Sequence, residues 1–182
     1  ITQIIAEFFS RTLLPMADVV VDIHSGGKTM EFLPFGAAHI LDDKSQQARC
    51  VSAVEAFNAP YTLMLLEPDA VHLYDTAAEN QGKVFVSTEL GGGGSASATS
   101  VHIARRGISN VLKHAGIQAG DVEREVSVNL DTMNPDCFIT SEHRGLIEMR
   151  HDLGAEIKKG DLLAVVYDTD RTGTAPVEYH SK

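Results

Sequence analysis

A short run of β-branched residues, Asp18-Val-Val-Val-Asp22-Ile-His24, ends at the paired glycines 26 and 27. Three valines and an isoleucine so close together favour a strand that is buried on both faces, as in a parallel sheet. Ligands of such sheets bind beyond the carboxyl ends of the strands. His24 is therefore expected at a binding edge, and strand alternation places Asp22 on the same face, where its carboxylate could orient the imidazole.

A second stretch is built in the same way. The β-rich run 83–88 leads into Glu89, and four glycines follow at 91–94. This arrangement puts a carboxylate at a strand end, next to backbone that lets a ligand approach closely and forms a flexible wall of small residues. An imidazole and a carboxylate at two strand ends of one sheet predict a functional site, although each residue alone also fits an ordinary turn histidine or a solvated acid.

The order of the predicted elements indicates the fold class. Helical and strand-like spacing alternate along the first part of the chain, which predicts an α/β layered sheet that is mostly parallel. The predicted elements are a helix over 1–14, a strand over 18–23, a helix from Asp42 or Asp43 to about 58, strands over 61–66 and 83–88, and a helix over 101–112 that ends at Gly116. Residues 28–41 are expected to form a loop or short strand, and residues 68–80 a loop.

The pattern changes near Gly120. Beyond it the sequence has no strong helical stripe, and short β-like runs occur at 125–130, 137–140, 145–149 and 161–167. Such runs predict a small all-β unit. The chain is therefore predicted to divide into residues 1–119, an α/β domain, and residues 120–182, a small β-rich domain.

Bulk composition limits the class of protein. The 182 residues suffice for one ordinary domain, or for one domain with a small partner. A net charge of −10 argues against nucleic acids and anionic membranes as partners. The chain has no apolar stretch of membrane-spanning length, and we expect no signal peptide. Cys50 and Cys137 are expected to be reduced thiols, so a cytoplasmic protein is predicted.

The chain begins at Ile1, and apolar residues at 1, 4, 5, 8 and 9 already follow helical spacing with no capping residue before them. We therefore expect a piece of a longer protein or a processed form. Apolar surface left by missing sheet strands would favour self-association, so a homo-oligomer is expected.

Other site chemistries have weaker sequence support. Ser25 and Ser95 could be nucleophiles, but the GxSxG pattern is absent. The glycine run lacks the pattern of a phosphate-binding loop. Two His-x-x-Asp pairs, at His39 and His72, fit surface contacts better than zinc ligands. The remaining histidines lie on the last helix or in the tail, and those in the tail are expected at the surface: His102, His114, His143, His151 and His180.

The segments Val-Val-Asp22-Ile-His24-Ser-Gly-Gly and Ser-Thr-Glu89-Leu-Gly-Gly together resemble the succinylglutamate desuccinylase/aspartoacylase family. These are zinc-dependent amidohydrolases related to the zinc carboxypeptidases. The resemblance implies that His24 is the third zinc ligand, that Asp22 supports it, and that Glu89 is the catalytic glutamate. It also implies hydrolysis of a small N-acyl amino acid, most similar to the branch that deacetylates N-acetyl-diaminobutyrate in ectoine breakdown.

The tail extends this resemblance. Its segments Gly145-Leu-Ile-Glu-Met and Lys159-Gly-Asp-Leu-Leu resemble the small β domain that follows the catalytic domain in the family. The similarity therefore covers most of the chain.

The sequence departs from the family at one point. The family's first two zinc ligands come from a His-x-x-Glu motif upstream of the Asp-x-His strand, and this chain contains no His-x-x-Glu. The resemblance therefore implies one of three zinc ligands plus the general base, with weak or no zinc binding and no activity by this chain alone. A non-catalytic α/β binding module, or a pseudoenzyme fragment, remains the alternative hypothesis.

Overall fold

A computed structural model describes residues 1–66 and 73–182 of the chain. These residues form two compact units, Ile1–Met133 and Asn134–Lys182. The first unit contains a five-stranded sheet with helices, and the second contains a three-stranded antiparallel sheet. The predicted fold class, a parallel-rich α/β sheet followed by a small β unit, is confirmed.

The first sheet is built from β1 Val19–Val21, β2 Phe35–His39, β3 Tyr61–Leu65, β4 Val84–Glu89 and β5 Val128–Leu130. Its strand order is β1-β4-β2-β3-β5. The pairs β1–β4, β2–β3 and β3–β5 are parallel, and β2–β4 is antiparallel. The carboxyl ends of β1 and β4 therefore meet at one edge, and β2 ends at the opposite edge.

Both faces of this sheet are covered, as the valine run predicts. Val20 and Phe85 are buried in a cluster with Leu14 and Ala78 on one face. Val86 is buried on the other face with residues of two helices, and Val19 and Val21 pack against that cluster. Alternation along β1 thus divides the valines between two cores.

Two long helices cover the second face, α2 over Lys44–Phe57 and α4 over Ala98–His114. The side chain of Asp43 caps α2 by accepting from the N–H groups of residues 45 and 46, and a capping box at Ser97 begins α4. The two helices approach closely at Gly107, where an added Cβ would lie 2.4 Å from the buried ring of Phe57. Only glycine fits at this crossing.

The first face carries shorter helical segments. The chain begins with α1 over Thr2–Phe8, continues as a π-helix over Phe9–Leu13, and ends in a 3-10 turn over Leu14–Met16. Helix α1 buries none of its residues, so its apolar stripe does not face the core of the described part. Helix α3, Tyr74–Glu79, lies where the sequence predicts a loop. No helix among residues 1–66 and 73–182 combines the length and apolar character needed to cross a membrane.

The second unit contains three strands, β6 over Leu146–Met149, β7 over Leu162–Tyr167 and β8 over Val177–His180. The run predicted at 137–140 overlaps a 3-10 turn, Pro135–Cys137, at its first residue and carries no strand. The run predicted at 125–130 contributes β5, which pairs with β3 in the first sheet. The division at residues 119 and 120 into two domains stays a prediction.

Candidate functional site

The backbone beyond β1 continues beside β4 and carries His24 to the same sheet edge as Glu89. Val21 pairs with Val86, and the N–H of Asp22 donates to the carbonyl of Val86 at 3.0 Å. Further along, the N–H of Leu90 donates to the carbonyl of His24 at 2.9 Å. Parallel pairing therefore places the residues that follow both strands next to each other.

The side chains of Asp22 and His24, two positions apart on the segment after β1, contact each other at this edge. The Nδ1 atom of His24 lies 3.3 Å from Oδ2 of Asp22. The imidazole is 59% exposed and the carboxylate 29%. A carboxylate at this distance limits the orientations of the ring and leaves its other nitrogen available for a ligand.

Glu89 is the third group at this edge, and it is only partly exposed. Burial raises the pKa of the Glu89 carboxyl, the positive charge of a protonated His24 lowers it, and the negative charge of Asp22 raises it. Its Oε2 atom is buried without a hydrogen-bond partner among the residues that the structure describes. A carboxylate held in this way is suited to accepting a proton.

The turns after β1 and β4 are joined by main-chain hydrogen bonds. The N–H of Gly26 donates to the carbonyl of Gly91 at 3.0 Å, and the N–H of Gly93 donates to the carbonyl of Met30 at 3.0 Å. A Cβ at Gly92 would lie 2.0 Å from the Met30 oxygen, so no larger residue fits. The sequence predicts a flexible wall of small residues beside Glu89, whereas these bonds hold the glycine segment to the turn after β1.

A cavity of about 180 Å³ lies beside His24. Ser25 and Ser95, the serines considered as nucleophiles, both line it. Within the described part of the chain, the imidazole of His24 bonds the side chain of Asp22, and the backbone N–H of His24 bonds the hydroxyl of Thr88. Neither group bonds either serine. The geometry therefore offers no serine–histidine pair of the kind that activates a hydroxyl nucleophile.

His39 lies at the opposite edge of the sheet and is buried. Its Nδ1 atom lies 2.9 Å from Oε1 of Glu79, and its Nε2 atom lies 3.7 Å from Oδ2 of Asp75. It lines a cavity of about 310 Å³ together with Asp42, its predicted partner, but its burial contradicts the surface position that the sequence predicts. The other His-x-x-Asp pair begins at His72, which lies outside the described residues. The sequence does not predict the contact between His39 and Glu79, because 40 positions separate these residues along the chain.

The described residues do not supply a complete set of metal ligands. Within residues 1–66 and 73–182, no group of three or more His, Cys, Asp or Glu side chains is arranged to hold a metal ion. His24 contacts the carboxylate of Asp22 and acts electrostatically on Glu89, but the three side chains do not form such a group. A zinc ion at this edge would need ligands beyond those that the described residues supply.

The structure also brings Thr88 into the site, a residue that the sequence pattern does not single out. Its side chain is fully buried, with 0% exposure, and its hydroxyl contacts the backbone of both Asp22 and His24.

Replacing Glu89 by glutamine is expected to stabilise this chain at pH 7. Above the ordinary pKa of glutamate, about 4.3, folding must hold a charged carboxylate in a partly buried site. Below that pKa the carboxyl is protonated in both the folded and the unfolded chain. The gain should therefore appear at neutral pH, as a rise in Tm on the order of a few degrees, and vanish near pH 4. Calorimetry at both pH values measures it. An exposed control, Glu55→Gln, should show no such pH-dependent gain, and an equal gain at both pH values would contradict the charge argument.

Comparison with known proteins identifies the family of this sequence. Residues 1–115 match the succinylglutamate desuccinylase/aspartoacylase catalytic domain. This match covers β1, β4 and the turns that follow them, so it includes all three groups of the candidate site.

Similar proteins agree with that match. The whole chain aligns with 54% of the length of the N-alpha-acetyl-L-2,4-diaminobutyric acid deacetylase of Halomonas elongata, and the aligned residues are 47% identical. The whole chain also superposes on the ectoine utilization protein EutE (DoeB) of Ruegeria pomeroyi, with a TM-score of 0.93 and 58% identity. This superposition covers 55% of the length of that protein. A succinylglutamate desuccinylase/aspartoacylase of Rhodobacter sphaeroides is 31% identical, with a TM-score of 0.90 and 55% of its length covered. The chain thus spans about half the length of the relatives that it matches.

Proposed function

Because the chain belongs to the succinylglutamate desuccinylase/aspartoacylase family, we propose that it is part of an enzyme that hydrolyses the amide bond of an N-acyl amino acid. The specific substrate that we propose is an N-acetyl-diaminobutyrate. This choice is supported by the 47% identity to the Halomonas deacetylase and the 58% identity to the Ruegeria ectoine utilization protein. We further propose that the chain is a fragment of the active enzyme and that it is inactive alone, because it matches about half of each relative.

The observation that carries the proposal is the meeting of His24, Asp22 and Glu89 at adjacent strand ends, inside the region that matches the family. Glu89 would take a proton from the attacking water and later deliver it to the leaving amine. Its raised pKa supports both steps, since a carboxyl group with a pKa nearer neutrality can hold the proton between them. Asp22 would keep the imidazole of His24 in a productive orientation.

We propose that His24 supplies one of three zinc ligands and that a segment outside this chain supplies the other two. A bound zinc ion would lower the pKa of its water and polarise the amide carbonyl. Three protein ligands with an open fourth position are the usual arrangement of a catalytic zinc site. The chain's residues fit this scheme only in part, because the described residues contain no complete ligand group.

The remaining parts of the proposal concern context. The substrate is a small molecule, and the net charge of −10 supports neither nucleic acid nor an anionic membrane as a partner. We propose a cytoplasmic location and self-association, the latter because the apolar side chains of α1 are exposed in this chain.

A second candidate function is compatible with one of the same observations. The lack of a three-residue metal group in the described part fits a non-catalytic binding module or a pseudoenzyme fragment. The two hypotheses differ in what is encoded upstream of Ile1, because only the enzyme requires a His-x-x-Glu motif there.

Activity measurements on two proteins test the proposed function. The first is this chain, and the second is the extended form, defined as this chain joined to the polypeptide encoded immediately upstream of Ile1. We expect the extended form to release acetate and free amine from N-acetyl-diaminobutyrate in equal amounts, and the 182-residue chain to release neither. N-acetylaspartate and N-succinylglutamate serve as competing substrates. An extended form that cleaves none of the three would refute the proposal.

A further inference from the structure

The hydroxyl group of Thr88 joins the two backbone segments that carry His24 and Glu89. Thr88 directly precedes Glu89 on β4, and its side chain is fully buried. Its Oγ1 atom accepts a hydrogen bond from the backbone N–H of His24 at 3.2 Å. The same hydroxyl donates to the backbone carbonyl of Asp22 at 2.7 Å.

This hydroxyl stands where the parallel ladder would place main-chain atoms. On one side the N–H of Asp22 donates to the carbonyl of Val86, and on the other the N–H of Leu90 donates to the carbonyl of His24. In a regular ladder, the N–H and carbonyl of Thr88 would make the two bonds that lie between these. A single side-chain oxygen makes them instead, so it is inserted between β4 and the backbone segment that follows β1.

We propose that Thr88 is a positioning residue that sets the placement of His24 relative to Glu89, an inference that rests on the proposed hydrolase function. Without the hydroxyl, the His24 N–H and the Asp22 carbonyl lose their partners. The segment that carries His24 is then no longer held beside Thr88, so His24 moves relative to Glu89. A misplacement of about 1 Å at a reacting centre can reduce a rate by about 10²-fold.

The chemistry of threonine fits this role. The bridge needs one atom that both accepts and donates, and a hydroxyl does so. Branching at Cβ restricts χ1, so that the hydroxyl is held towards β1. Valine has nearly the same shape without the hydroxyl, and serine keeps the hydroxyl without the methyl group. These two substitutions separate hydrogen bonding from packing.

Amide hydrogen exchange in the 182-residue chain tests the bridge without any catalysis. In Thr88→Val, the amide of His24 should exchange at least about tenfold faster, because its acceptor is gone. The amide of Asp22 should change less, because its acceptor is the Val86 carbonyl. Thr88→Ser should protect His24 nearly as well as threonine. The matched control is Thr62→Val, which removes a threonine hydroxyl from β3 that bonds Ser127 at 3.0 Å.

Kinetics of the extended form test the consequence. Thr88→Val should lower kcat for N-acetyl-diaminobutyrate by about 10²-fold and leave KM within about threefold, because positioning acts on the reacting groups more than on substrate binding. Thr88→Ser should restore most of kcat, and Thr62→Val should leave it unchanged. If Thr88→Val does not fold, Thr88→Ala provides the smaller hydroxyl-free side chain.

Two results would overturn the proposal. One is a His24 amide that stays protected in the folded valine or alanine variant. The other is a serine variant as impaired in kcat as the valine variant, because packing would then explain the effect. Failure of the proposed function looks different: the unaltered extended form would cleave no acyl amino acid. The exchange of the His24 amide would then still decide whether Thr88 places this residue.

Discussion

Glu89→Gln in the extended form is expected to lower kcat for amide hydrolysis by about 10²–10⁴-fold, the range for loss of a general acid–base group. A glutamine amide keeps the shape of the side chain but cannot take a proton from water at neutral pH. The effect should be large because burial already raises the pKa of the Glu89 carboxyl and because its Oε2 atom has no partner among the described residues. Steady-state release of the free amine measures it.

Zinc content measured on the same samples distinguishes loss of the base from loss of the metal. It should be unchanged in Glu89→Gln, since the proposal gives Glu89 no role as a ligand. The matched control is Glu55→Gln, which alters an exposed glutamate of α2 and should retain full activity. Unchanged kcat in Glu89→Gln would contradict the role proposed for this residue.

Zinc binding is expected to differ strongly between the extended form and the 182-residue chain. The extended form should hold about one zinc ion per chain, as a three-ligand catalytic site requires, and the shorter chain much less than one. The reason is that the described residues contain no group of three potential ligands, so the chain alone supplies too few ligands besides His24. Elemental analysis of both purified proteins after dialysis against zinc-free buffer provides the measurement.

Histidine variants of the extended form connect this result to His24. We expect His24→Ala to lose most of the zinc, whereas His114→Ala, which alters an exposed histidine at the end of α4, should retain it. Stoichiometric zinc in the 182-residue chain would contradict the shared site and direct attention to the pairs at His39 and His72. No zinc in either protein would favour the binding module.

Local patterns in the sequence were sufficient for much of this fold. The valine run predicts a strand with two covered faces, and Val20 and Val86 are buried in separate cores. Asp43 marks the start of α2, because a carboxylate that accepts from free N–H groups stabilises a helix end. His24 and Glu89 could be predicted as neighbours, because both follow β-rich runs and parallel strands end at one edge.

Other features depend on contacts between distant residues and could not be predicted from local pattern. Helix α3 lies within a predicted loop, because its short sequence becomes helical against β4 rather than through a strong periodicity of its own. The burial of His39 beside Glu79 depends on the antiparallel placement of β2, which turns the end of that strand away from the candidate site.

The sequence by itself therefore determined the residue types at the two strand ends and, through them, the family and the expected chemistry. Only the tertiary structure decided how those ends are held together. Thr88 illustrates the physical reason, because nothing within its own strand shows that its hydroxyl replaces two ladder bonds to Asp22 and His24. That role exists only when two segments more than 60 residues apart in sequence come within hydrogen-bonding distance.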